Sequence, residues 1–130
     1  MTVSASLLSD KERVKFLASL AGKPYKAGAR GPKEFDCYGL VLEVYRTLRG
    51  VELPDMHSAS SESPKAWRFV KEPTDLAIVF MRTFEMQRHV GVYLKEGGIL
   101  HAIEAWGVIF EPISHLKLRG NTNIRMVVQR

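Results

Sequence analysis

The chain has 130 residues, 45% of them hydrophobic and 25% charged, which excludes disorder as the main state and suits one self-supporting domain spanning residues 1–130. A single cysteine, Cys37, excludes an intramolecular disulfide and a metal site built from several thiolates. The net charge of +5 is concentrated near the N-terminal end (Lys11, Arg13, Lys15, Lys23, Lys26, Arg30 and Lys33 against Asp10, Glu12 and Glu34); it permits an anionic partner and requires none.

Ser9 and Glu12 stand at capping-box spacing, and Val14, Leu17, Ala18 and Ala21 follow at i, i+3, i+4 and i+7 before Gly22, predicting a first amphipathic helix. Pro24, Gly28, Gly31 and Pro32 mark Lys23 to Phe35 as a surface loop. Asp36 is a good N-cap for a second helix, whose apolar stripe is Cys37, Leu40, Val41, Val44, Tyr45 and Leu48 and which closes at Gly50. Cys37 falls in its first turn. The Ser-rich stretch from His57 to Pro64 reads as a connection, with Ser63-Pro64 starting a short helix through Val70.

Beyond Pro73 the period changes. Leu76 to Met81, His89 to Leu94, Ile99 to Ile103, Val108 to Glu111 and Ile124 to Val128 are short apolar, β-branched segments punctuated by Gly and Pro, predicting an antiparallel sheet. Helices first and strands second indicate an α+β domain. Leu76 to Met81 is also the longest apolar run, far short of the roughly 20 residues that cross a bilayer, so no membrane insertion is expected. MTVSASLLSDKERVK has neither a basic start nor a long apolar segment, so synthesis in the cytoplasm without a signal peptide is the expectation.

Cys37 admits two readings. A free cysteine on an apolar stripe packs in a core, whereas the first turn of a helix favours a thiolate and so a nucleophile. A cysteine nucleophile needs an imidazole to take its proton and a polar group to orient that ring. His89 and His101 lie on strands joined by a hairpin, and they share a face only if the loop between them holds an odd number of residues. The loop Lys95-Glu96-Gly97 meets this condition, with Gly97 supplying a left-handed conformation. Gly91 then opposes His101 and Ile103 opposes His89, making the two histidines diagonal neighbours roughly 7–8 Å apart at Cβ. Gly91 leaves room for the second ring; a bulge explains a strand glycine equally well. His57 and His115 read as exposed residues without a role. A zinc site from Cys37, His89 and His101 lacks paired CxxC or HxxxH spacing, so no metal is expected. Nucleic-acid binding has only the net charge in its favour.

GKPYKAG, FDCYGLVLEVYRTLRGVELP, PTDLAIVF, HVGVYL and ILHA occur in this order, and together they resemble the NlpC family of papain-like cell-wall cysteine peptidases from Gly22 to about Pro112. The resemblance implies a papain-like α+β fold with the nucleophile at a helix start, packed on an antiparallel sheet. It implies Cys37 as nucleophile, His89 as general base and His101 as the residue orienting that base, without a cofactor. Tyr25 matches a tyrosine near the substrate pocket. Asp36 matches an acid that some members use in recognising substrate, its plainer role being helix capping. The implied substrate is an amide in a peptidoglycan stem peptide.

Two positions depart from the family's pattern. Thr74 stands in PTDL where glycine is usual, and Tyr38 follows the nucleophile where cell-wall members commonly have serine. Tyr38 looks like the large aromatic of phage tail members, beside the substrate. It points to the phage tail-assembly branch, with tail-tip proteins as partners and a virion tail acting at the wall as the setting. The alternative is a structural tail-assembly protein that keeps the peptidase fold with little or no activity.

Overall fold

Residues 7–54 and 67–129 are described by the computed structural model. Ser9 caps α1 (Asp10–Leu20) through the expected reciprocal box with Glu12, and Asp36 caps α2 (Cys37–Arg49), which ends on the left-handed Gly50. Six strands follow the helical half: β1 (Trp67–Val70), β2 (Ile78–Arg82), β3 (Arg88–Leu94), β4 (Gly98–Ile103), β5 (Gly107–Glu111) and β6 (Thr122–Gln129), with a short α3 (Ile113–Leu118) before the last. They form one sheet in the order β1-β6-β2-β3-β4-β5, and every pairing is antiparallel. Among the described residues no helix is long and apolar enough to cross a membrane.

Alternation along the strands divides the interior into two layers. Ile78, Val90, Val92, Leu94, Leu100, Ala102 and Val127 pack with Leu40, Val41, Val44, Tyr45 and Leu48 of α2. Val79, Met81, Ile99, Met126 and Val128 form the opposite layer, with Tyr93 and with Leu116 of α3. α2 is tied to the sheet by a polar bond as well, because the buried Tyr45 hydroxyl donates to the Leu76 carbonyl. Leu76 has φ +63°, and the regular strand starts two residues later than the apolar run does. Thr74 has no positive φ, so threonine is accommodated in a turn where its carbonyl accepts from the Ala77 N–H at 3.0 Å.

Two sequence expectations are corrected. Trp67–Val70 is a strand, not the end of a helix: it pairs with β6 from Trp67 opposite Gln129 to Val70 opposite Met126, and buried Trp67 lies against Tyr45. Sheet completion beside β6 outweighs the helix-start signal of Ser63-Pro64, which with His57 lies outside the described residues. The second correction is α3, which was not expected. Its six residues carry a single buried apolar position, Leu116, too little for a readable period.

The basic N-terminal region is partly an internal device. Arg13 is fully buried, and its guanidinium bonds both carboxylate oxygens of Asp75 (2.6 and 2.7 Å) and both of Glu96 (3.0 and 3.1 Å). It fastens α1 to the loop before β2 and to the β3–β4 turn. Removing one partner of a buried ion pair leaves uncompensated charge. Arg13→Met is expected to lower the unfolding free energy by about 2–4 kcal/mol, read as a lower denaturant midpoint at unchanged slope.

Candidate functional site

The start of α2 is held from three sides. Asp36 Oδ1 accepts the Gly39 N–H at 2.6 Å, Oδ2 accepts the Gly28 N–H at 3.2 Å, and Arg30 Nη1 donates to both oxygens at 2.6 and 2.7 Å. Gly39 is required by contact, since a Cβ there would lie 2.2 Å from the Ala29 carbonyl oxygen. With these bonds the Asp36 carboxylate caps the helix and ties down the loop. Tyr38, expected beside the substrate, is 4% exposed, packs in the α2 layer and donates its hydroxyl to the Pro54 carbonyl at 2.8 Å.

Cys37 is partly buried, and the backbone N–H groups of Val90, Tyr38 and Cys37 itself act on its thiol. Val90 follows His89 in β3, so the backbone group that acts on the thiol is one residue from the histidine. Burial pushes the thiol above its ordinary value, the Asp36 carboxylate adds to this, and the three N–H groups offset part of it. The net direction is opposite to that expected from a helix start alone. Tyr25 is within electrostatic reach: burial raises its hydroxyl first, then Cys37, Asp36 and Glu104.

β3 and β4 pair from Val92 opposite Leu100 to Leu94 opposite Gly98, around the expected loop of residues 95–97. That register, continued, sets Gly91 opposite His101, and the histidines meet as diagonal neighbours: His89 Nε2 lies 2.7 Å from His101 Nδ1, with ring centres 5.0 Å apart. A Cβ at Gly91 would stand 2.9 Å from His101 Cβ and 2.8 Å from Ile99 Cγ2, so glycine keeps this approach open. Burial drives the His89 pKa down to about 3, helped by His101 and Arg119, and drives His101 down to about 4, helped by Arg119. Both rings are neutral at physiological pH.

The row continues beyond what the sequence reading found. His101 Nε2 lies 2.6 Å from Glu111 Oε2, and the same oxygen accepts from Arg119, whose guanidinium stands 5.1 Å from the Trp106 ring centre. Burial raises the Glu111 carboxyl, against the lowering effects of Arg119 and His115. Glu111 had a readable signal: β4 pairs with β5 as His101 opposite Ile109, so position 111 has the parity of 101 and falls on its face. Arg119 had none, since α3 delivers it. Among the described residues no cluster of three or more His, Cys, Asp or Glu could hold a metal ion.

Residues 22–123 match the NlpC/P60 family. The chain belongs to that family. The murein DD-endopeptidase MepS/murein LD-carboxypeptidase of Escherichia coli K12 is 30% identical over 97 residues, covering 75% of this chain and 51% of the relative. The chain therefore spans about half the length of that curated relative. Among solved structures, the NlpC/p60 domain of the peptidoglycan hydrolase SagA superposes with a TM-score of 0.65 at 20% identity, covering 92% of this chain and 98% of that one. An NLP/P60 protein from Staphylococcus aureus, described as similar to lipoprotein, gives 0.62 at 23% identity, covering 99% of this chain and 46% of that one. The papain-like α+β fold is thus that of NlpC/P60 domains.

Gly91→Ala tests the opening that this domain leaves for the second ring. The added methyl meets the His101 Cβ and the Leu100 carbonyl oxygen at 2.9 Å, so something must shift. The expected cost is about 1–3 kcal/mol of stability, read by chemical denaturation, together with altered His89 and His101 ring resonances in NMR.

Proposed function

We propose that this NlpC/P60 domain is a cysteine endopeptidase that hydrolyses an amide bond in peptidoglycan stem peptides. The reading is carried by Cys37 at the start of α2, whose thiol is acted on by the Val90 N–H of β3, and by His89, the residue before Val90, which is hydrogen-bonded to His101. The name of the E. coli relative, a murein endopeptidase, supports the substrate class.

Because the thiol is raised and the imidazoles are neutral, a resting thiolate–imidazolium pair is replaced by a neutral thiol and a neutral base. His89 takes the proton as the sulfur attacks the carbonyl carbon, and His101 holds the ring in place through Nε2. The Cys37 backbone N–H at the helix start would stabilise the oxyanion. Collapse to the thioester expels the amine, which receives the proton from His89, and water then releases the acyl group. Tyr25 stands near enough to Cys37 to line the substrate side.

Cys37→Ala is expected to abolish muropeptide release from purified peptidoglycan, by on the order of 10³-fold or more, with the circular dichroism spectrum unchanged. Release at the wild-type rate would overturn the reading. The base must be unprotonated, and His89 loses that form only as pH falls toward about 3. The rate of release by the wild type should therefore show no inflection near pH 6.5 between pH 5 and 8.

The biological setting is part of the same proposal: a phage tail-tip component that helps open the wall, suggested by the aromatic Tyr38 after the nucleophile. A structural tail protein with little activity is the second reading, favoured by the raised Cys37 thiol. That reading predicts no muropeptide release by the wild-type chain and alkylation of Cys37 that accelerates only at alkaline pH.

A further inference from the structure

We infer that Glu111, held by Arg119, is the positioning residue that sets the tautomers of both histidines and so selects His89 Nδ1 as the basic nitrogen. The inference rests on the proposed role of His89 and adds what determines which of its nitrogens is free.

The three side chains lie along one diagonal of the sheet. His89 on β3, His101 on β4 and Glu111 on β5 are each displaced by two residues from the partner directly across, so all three side chains emerge on one face and touch end to end. At the far end, Oε2 of Glu111 receives Arg119 as well as His101. A guanidinium is always charged and can only donate, so this oxygen is an acceptor, and Arg119 offsets part of the burial that raises the carboxyl. The proton between His101 and Glu111 therefore lies on His101 Nε2.

A neutral imidazole carries one N–H, which leaves His101 Nδ1 as an acceptor facing His89 Nε2 at 2.7 Å. His89 Nε2 must then carry its own proton, and His89 Nδ1 keeps the lone pair. Each bond dictates the next. Nothing in the two histidines alone makes this choice, because a pair of neutral imidazoles can pass the same hydrogen bond in either direction. The acceptor-only carboxylate breaks that symmetry.

Arg119 gives the anchor a further property. Its charge lies beside the carboxylate and opposes protonation of both rings, as does burial; His115 of α3 acts on Glu111 in the same sense as Arg119. The ion-paired Glu111 thus orients the rings while adding little net negative charge to hold an imidazolium at rest. Trp106 covers the outer face of Arg119. Metal-bound histidines are oriented in a comparable way by outer carboxylates, whose removal typically lowers activity by about 10–100-fold.

The test uses the full chain labelled with ¹⁵N-histidine at pH 7, read by long-range ¹H–¹⁵N correlation, beside steady-state hydrolysis of purified peptidoglycan. Wild type should show both His89 and His101 as Nε2–H tautomers; an Nδ1–H form of either overturns the inference without any variant being made. Glu111→Gln keeps an acceptor oxygen and should keep both tautomers, with kcat within several-fold of wild type. Glu111→Met removes the acceptor and should populate Nδ1–H in His101, lowering kcat about 10–100-fold at nearly constant KM. Unchanged tautomers in Glu111→Met, or equal losses in the Gln and Met variants, would mean that Glu111 only supports the fold. Fixed tautomers in a wild type that releases no muropeptide would sink the proposed hydrolysis and leave the tautomer assignment standing.

Discussion

The site depends on strand register. Three pairings, Val92 with Leu100, Tyr93 with Ile99 and Leu94 with Gly98, place His101 two residues diagonal to His89. The five-residue ladder between β4 and β5 repeats that offset for Glu111. A slip of one residue in either hairpin would carry the next polar side chain to the α2 face, among Val90, Val92, Leu100 and Ala102. The cost of burying an unpaired imidazole or carboxylate there makes such slips unfavourable, so the row that serves the site also enforces the register. Arg13 acts on the same hairpin from outside, through Glu96 in the β3–β4 turn.

Charge is distributed so that Cys37, His89 and His101 are held toward their neutral forms. Cys37 stands at the positive end of α2, yet burial and the Asp36 carboxylate outweigh that end. Asp36 is there because the helix needs a cap, and Arg30 counters much of its charge. At the other end of the row, Arg119 is paired with Glu111 in the same way. Two cation–carboxylate pairs therefore flank a thiol and two imidazoles. In the proposed mechanism a proton moving from sulfur to His89 would create charge once substrate had excluded water, the condition in which fixed N–H dipoles act most strongly.

Much of this was legible in the sequence. The capping residues Ser9 and Asp36, the period change after Pro73 and the odd-numbered loop 95–97 are local features, and each produced the expected element. His89 and His101 could be brought together by parity, and Cys37 was joined to them by its helix-start position and the family resemblance. β1 and α3 could not be read because each owes its form to a neighbour: β1 to the edge of β6, α3 to a single leucine under the sheet. Arg119 depends on α3 and was invisible for that reason. Glu111 was within reach, since the parity rule that paired the histidines applies unchanged to the next hairpin.

Tyr38 shows how a motif and a period can disagree. As the residue after the nucleophile it was expected beside substrate, but Tyr38, Val41, Tyr45 and Leu48 are spaced i, i+3, i+7 and i+10, which is a buried helical face. The period prevailed. Its ring fills space in the α2 layer, and its hydroxyl satisfies the Pro54 carbonyl where the chain leaves the helix. The large aromatic therefore acts on Cys37 from beneath, by fixing the first turn of α2 against the segment that follows Gly50. A serine here could neither fill that volume nor reach that carbonyl, so exchanging the two residues would first alter the packing of the turn that carries Cys37.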